Sequence, residues 1–251
     1  MRIVAVLLVL LLSACLSQSP PPEGARGNVL YGDGYTGYLA EPGQPGKYPG
    51  VVMIHEWWGL NENIRGMADQ LSREGYVVLA VDLYGDRVAT DPGEARELSS
   101  EVNSNPQGAL RNLKSAVGFL RSRENVAKDS IASLGWCFGG GWSLQLALSG
   151  EDLAATVIYY GRLETDPGKL SAMKGPVLGI FGDQDRSIPV ATVEEFRASL
   201  DAAGVENEVY IYPGVGHAFA NPTGTGYAPE ETRDAWGKTL AFLEKKMKRG
   251  K

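Results

Sequence analysis

Residues 135–140 read Gly135-Trp136-Cys137-Phe138-Gly139-Gly140. They follow the apolar stretch ending in Leu134 and run into residues 139–149, which are predicted to be helical. The spacing is that of G-x-S-x-G, which sets a nucleophile on a sharp strand-to-helix turn, but the central residue here is cysteine. Glycines at 135 and 139 let the backbone pass close to itself where a Cβ would clash. A sulfur at that turn sits at a helix N-terminus, whose dipole favours a thiolate. The alternative is an inert thiol packed as a small hydrophobe. The rest of the chain chooses between the two.

On either side of this turn the pattern is strand, loop, helix, repeated. Residues 51–54 (Val-Val-Met-Ile) form a short continuous apolar run of the kind buried on both faces of a parallel sheet. Further strands are predicted at 76–81, 130–134, 155–160, 177–181 and 208–212. Helices are predicted at 62–73, 94–103, 107–121, 193–203 and 230–246. This alternation predicts an α/β fold, a single domain whose mostly parallel central sheet carries helices on both faces. Ligands of such sheets bind outside the carboxyl ends of the strands. Cys137, Asp185 and His217 each fall just past such an end, and nucleophile, acid, histidine is the α/β-hydrolase order.

The chain has only two histidines, His55 and His217, so candidates for a general base are few. His217 lies in a glycine-flanked loop after the strand at 208–212. His55 ends the strand at 51–54 and reads as structural or as facing the pocket rim. Between two loop carboxylates, Asp185 is placed to turn back over the strand ends, while Asp183 reads as a turn residue. Acyl transfer needs N–H donors aimed at the developing oxyanion. Phe138, next after the cysteine, supplies one, and Trp57 in the loop His55-Glu56-Trp57-Trp58-Gly59 the second. Trp58, Trp136 and Trp142 are candidates for an apolar pocket wall, or for plain core packing.

The chain of 251 residues, 43% hydrophobic and 22% charged, suits one soluble domain. A net charge of −6 with interspersed signs argues against a nucleic-acid partner, which needs a basic patch. Arg2, an apolar run to Leu12 and Leu12-Ser13-Ala14-Cys15 predict a secretory leader over residues 1–14. The ending resembles a bacterial lipobox, so Cys15 is expected to carry lipid and anchor an exported protein to a membrane of the cell envelope. Residues 15–27, rich in proline, are expected to be a flexible tether, and residues 28–251 the folded domain. A Cys15→Ala variant should keep its leader, visible by mass spectrometry; normal processing would reject the lipobox. With Cys15 lipidated, Cys137 is left as a lone thiol.

Several segments together resemble the dienelactone hydrolase family of α/β-hydrolases over residues 28–247. They are residues 51–59, Asp82-Leu83-Tyr84-Gly85, residues 135–140, Tyr159-Tyr160-Gly161, Gly182-Asp183-Gln184-Asp185 and Gly216-His217-Ala218-Phe219. The resemblance implies a Cys-Asp-His triad at Cys137, Asp185 and His217, with Glu56 helping to activate the thiol. Members acting on dienelactone clamp its carboxylate between two arginines. Arg87 lies one residue beyond the first of these positions, where Asp86 stands, and Asn221 occupies the second.

The expected protein is therefore a membrane-tethered hydrolase of a carboxylic ester or lactone, acting through a thioester. Arg87, Trp58 and Trp136 are the candidate substrate-binding residues. No cofactor is expected, and two distant histidines with one thiol do not make a metal site. The protein is expected to act as a monomer. The alternative from another class is a lipid-anchored binding protein on a catalytically slow hydrolase scaffold.

Overall fold

The computed structural model describes residues 23–248. Its elements are β1 (Glu23–Tyr31), β2 (Tyr35–Pro42), β3 (Tyr48–Ile54), α1 (Glu62–Arg73), β4 (Val77–Val81), α2 (Pro92–Ser104), α3 (Pro106–Ser122), β5 (Val126–Trp136), α4 (Phe138–Leu148), β6 (Ala155–Tyr159), α5 (Pro167–Leu170), β7 (Val177–Gly182), α6 (Val190–Ala202), β8 (Asn207–Tyr212) and α7 (Pro229–Met247). The strands form one sheet in the order β1-β2-β4-β3-β5-β6-β7-β8. The pairs β1–β2 and β2–β4 are antiparallel, and every neighbouring pair from β4 to β8 is parallel.

Why these residues form these elements is visible locally. Val51, Val52, Met53 and Ile54 are wholly buried, as a central strand covered on both faces requires. In α1, Ile64, Ala68 and Leu71 recur at helical spacing and are buried on one stripe. The Asn61 side chain caps its start by accepting the Ile64 N–H. Gly75, at φ +85°, ends it in the left-handed region that glycine tolerates.

The sheet order fixes where a site can open. The chain leaves β3 toward β4 but leaves β5 toward β6, in opposite directions, so a crevice opens above the neighbouring ends of β3 and β5. Register sets those ends level: Ile54 pairs with Gly135, Trp136 with Tyr159, and Gly182 with Tyr212. The turns that follow therefore meet at one rim.

One expectation changes, and two elements are new. The tether was expected to reach residue 27, but Glu23–Tyr31 is strand β1, paired with β2. An edge strand can be polar because one edge and much of its surface face water, so composition alone reads it as linker. Arg26, paired with Asp69 of α1 at 2.9 Å, ties it down. The β1–β2 hairpin was not predicted at all; it turns through Gly32 and Gly34, both at positive φ. The short α5 was likewise unforeseen. The leader, Cys15 and the proline run lie outside the described residues. No described helix is long and apolar enough to cross a membrane.

Asn112 of α3 joins the hairpin to the parallel strands: its Oδ1 accepts the Tyr31 hydroxyl and its Nδ2 donates to the Asp82 carbonyl at 2.9 Å. Both contacts are buried, so each satisfies a group that would be costly to leave unpaired.

Candidate active site

Cys137 sits between β5 and α4 with φ 53° and ψ −116°, a conformation rare for a residue with a side chain. Its glycines explain how the turn closes. A Cβ on Gly135 would stand 2.2 Å from the Gly139 carbonyl oxygen, and one on Gly139 equally close to that of Ile54. The turn is thus pressed against its own helix and against the end of β3. Cys137 N–H donates to the Tyr159 carbonyl (2.9 Å), which fastens the turn to β6.

The sulfur meets His217: Nε2 lies 3.0 Å from Sγ. On the far side of the ring, Nδ1 lies 2.7 Å from Asp185 Oδ2. Asp185 is buried, and its other oxygen accepts the N–H groups of Ser187 (2.7 Å) and Ile188 (3.0 Å). Three residues from three loops form one continuous chain of contacts. Asp183 is used differently, accepting the Gly214 N–H at 2.7 Å and so joining the β7 and β8 loops.

Charge within this chain is strongly biased. Burial disfavours the His217 imidazolium, but the bonds and charges of Asp185 and Cys137 outweigh it and push its pKa up to about 10. Burial would likewise raise the Asp185 carboxyl; the His217 contact and the two backbone N–H groups prevail and hold it below the ordinary carboxylate value. Tyr160, fully buried, stands edge-on to the His217 ring, 5.2 Å away.

Two backbone N–H groups, those of Phe138 and Trp57, are candidates for holding an oxyanion. Phe138 opens α4, so its N–H has no intrahelical acceptor. Trp57 follows the end of β3. Among the described residues neither N–H meets an acceptor. Trp57 and Trp58 pack edge to face, and both join Phe138 and Tyr84 in a small apolar cluster seated on α2. Trp142 meets Phe138 edge-on.

Glu56 is nearly inaccessible to solvent. One carboxylate oxygen accepts the Asn221 amide at 2.5 Å, while Asn221 Oδ1 accepts both the N–H and the hydroxyl of Thr223. Those two donors fix which way the amide points. Burial raises the Glu56 pKa to about 7, against the opposing pull of the His217 charge and the Asn221 bond. The Tyr160 hydroxyl lies beside this carboxyl without the geometry of a hydrogen bond. A small cavity is lined by Glu56, Met67, Trp136, Tyr160 and Asn221. Asn221 read in the sequence only as a missing arginine; its position four residues after His217 was the one signal available.

Arg87 is drawn elsewhere. Its guanidinium pairs with Glu101 of α2, and its Nε donates to the Tyr84 carbonyl at 3.0 Å. Its charge is already matched where it was expected to bind substrate. Trp136 is buried against Tyr159, 5.4 Å between rings, and reaches only the Glu56 cavity. A broader groove on α7, lined by Glu230, Asp234 and Lys238, holds none of the motif residues. Among the described residues no group of three or more His, Cys, Asp and Glu could hold a metal ion.

A mostly parallel eight-stranded sheet with helices, carrying these three loops at one rim, is an α/β-hydrolase fold. The Dienelactone hydrolase family matches residues 35–247, and the chain belongs to that family. "Protein usf" of Aquifex pyrophilus is 32% identical over 214 residues, covering 83% of this chain and 92% of its own. A Synechocystis sp. protein, provisionally named a carboxymethylenebutenolidase, is 29% identical over 230 residues, covering 84% of this chain and 92% of its own. The solved structure called m3DLH superposes with a TM-score of 0.81 at 27% identity, over 89% of this chain and 98% of that one. The chain is thus a dienelactone-hydrolase-like hydrolase.

Proposed function

We propose that the protein hydrolyses a carboxylic ester or lactone through a thioester on Cys137. The contact chain Sγ–Nε2 and Nδ1–Oδ2 carries this reading, because it joins a nucleophile, a proton carrier and an orienting carboxylate in working order. Sγ attacks the acyl carbon as a thiolate paired with the His217 imidazolium. The carbonyl oxygen takes up the electron pair and is held by the N–H groups of Phe138 and Trp57. When the carbonyl re-forms, the C–O bond to the alcohol breaks and His217 Nε2 gives that oxygen its proton. His217 then takes a proton from water, whose oxygen attacks the thioester. The acid leaves and the sulfur is freed.

Asp185 keeps the ring oriented throughout and supports its charge. Glu56, when ionised, adds a negative charge near His217. Trp57, Trp58 and Phe138 offer apolar surface to the substrate. Arg87 is occupied by Glu101 and Asn221 by Glu56, so neither arm of a carboxylate clamp is free, which favours uncharged esters over dienelactone itself.

The test is a rapid quench with p-nitrophenyl acetate followed by peptide mapping. An acetyl group on Cys137, removed by hydroxylamine, is expected. Steady turnover with no acyl group on that peptide would overturn the reading.

A further inference from the structure

His55 is fully buried and takes no part in the contacts from Cys137 to Asp185. Both its ring nitrogens are engaged. The Leu83 N–H can only donate, so Nε2, 3.2 Å away, receives it with a lone pair. Nδ1 then carries the proton and donates to the Glu56 carbonyl at 2.6 Å. The neighbours therefore select one neutral tautomer. Burial pushes the ring's pKa down, in the same direction.

The ring also touches both halves of the crevice. Its face stacks on Phe138, 5.8 Å away and 17° from parallel, and Tyr84 meets it edge-on at 4.7 Å. The Glu56 carbonyl held by Nδ1 also accepts the Gly59 N–H at 3.2 Å. No peptide bond in the described chain is cis, so in the planar Glu56–Trp57 unit the N–H points opposite to the C=O. A carbonyl fastened toward the buried ring turns the Trp57 N–H the other way, away from that ring.

We propose that His55 is a positioning residue for the oxyanion hole: Nδ1–H holds the Glu56 carbonyl and the ring face holds Phe138, so that the two unpaired N–H groups converge. This rests on Cys137 being the acyl-accepting nucleophile. It also separates two reactions of the same sulfur. Ester attack passes through an oxyanion and needs the hole; alkylation by iodoacetamide displaces iodide at a saturated carbon and does not.

His55→Phe keeps a ring between Phe138 and Tyr84 but removes both polar bonds. It should lower kcat for p-nitrophenyl acetate about thirtyfold, somewhat less than outright loss of an oxyanion donor. KM should stay within about threefold, and Cys137 alkylation by iodoacetamide within about twofold. His55→Asn, whose amide donates from near the Nδ1 position, should recover about tenfold of the loss. Unchanged hydrolysis in His55→Phe would overturn the proposal, as would alkylation falling in step with hydrolysis. Should His55→Phe not fold, 15N NMR of the unaltered protein decides. Protonated Nδ1 and bare Nε2 are expected across about pH 5 to 8, and the other tautomer or a charged ring would overturn it. Failure of the esterase reading looks different: the unaltered protein would then carry no acetyl on Cys137.

Discussion

His217→Ala should lower kcat/KM for p-nitrophenyl acetate by about 10⁴-fold or more while leaving the fold intact. No second imidazole can take its place. His55, the only other histidine, has both nitrogens committed to Glu56 and Leu83 and is sealed from solvent. Asp185 faces the remote side of the imidazole, bonded to Nδ1 and two backbone N–H groups, and does not replace a proton carrier at the sulfur. His217 is also partly exposed at the rim, with 30% of its side-chain surface accessible, so its removal opens no closed cavity. Circular dichroism should therefore match the unaltered protein, while the urea midpoint should fall near neutral pH, because buried Asp185 loses the imidazolium that supports its charge. Removing the imidazole withdraws both the cation beside Sγ and the proton donor to the leaving alcohol. These act on the same transition state, so adding Asp185→Asn to His217→Ala should cost little more. Activity within about tenfold of the original would sink the proposed relay.

Glu56→Gln should stabilise the protein at pH 8 and have little effect at pH 4.5. Burial raises this carboxyl's pKa to about 7 from an ordinary 4.5. A group whose folded pKa is raised contributes stability that is fully present below its unfolded pKa. That contribution is lost as pH rises through the folded value. Between about pH 4.5 and 7 the unaltered protein must bear the growing cost of ionising a buried acid, and glutamine escapes it. A shift of this size corresponds to about 3 kcal/mol at the plateau above pH 7. Glutamine keeps an oxygen for the Asn221 amide, so the packing change is small. The cationic His217 nearby persists across this range and already counts in the lowered cost. Urea unfolding of both proteins at the two pH values measures the difference. A gap that does not widen with pH would show that Glu56 ionises at its ordinary value inside the fold.

Much of the architecture was readable because it is written in local pattern. The helix at 62–73 was bounded by the Glu74-Gly75 stop, and the strand at 51–54 declared itself through four consecutive apolar residues. Cys137, Asp185 and His217 could be picked out because each follows a strand's carboxyl end, and a parallel sheet puts such ends on one side. The hairpin of β1 and β2 escaped notice because Gly24, Arg26, Gly27 and Asn28 carry no apolar period. What makes them a strand is pairing with β2 and the ion pair to Asp69, neither of which is local. Arg87 shows the same limit. Its charge looked available for a substrate until α2 folded back and placed Glu101 against it. Asn221 looked like a lost arginine and is instead the donor that holds Glu56 from 165 residues away.

From the order of residues alone came the α/β alternation, the turn built on Gly135 and Gly139, and the identities of a thiol, an acid and an imidazole. These follow from short-range sterics and burial periodicity, which neighbouring residues settle among themselves. The folded chain alone decided the 3.0 Å approach of sulfur to imidazole, the locked tautomer of His55, the pairing of Arg87 and the raised pKa of Glu56. Each depends on which distant group arrives at hydrogen-bonding range and on how completely water is excluded there. That is a property of packing in three dimensions.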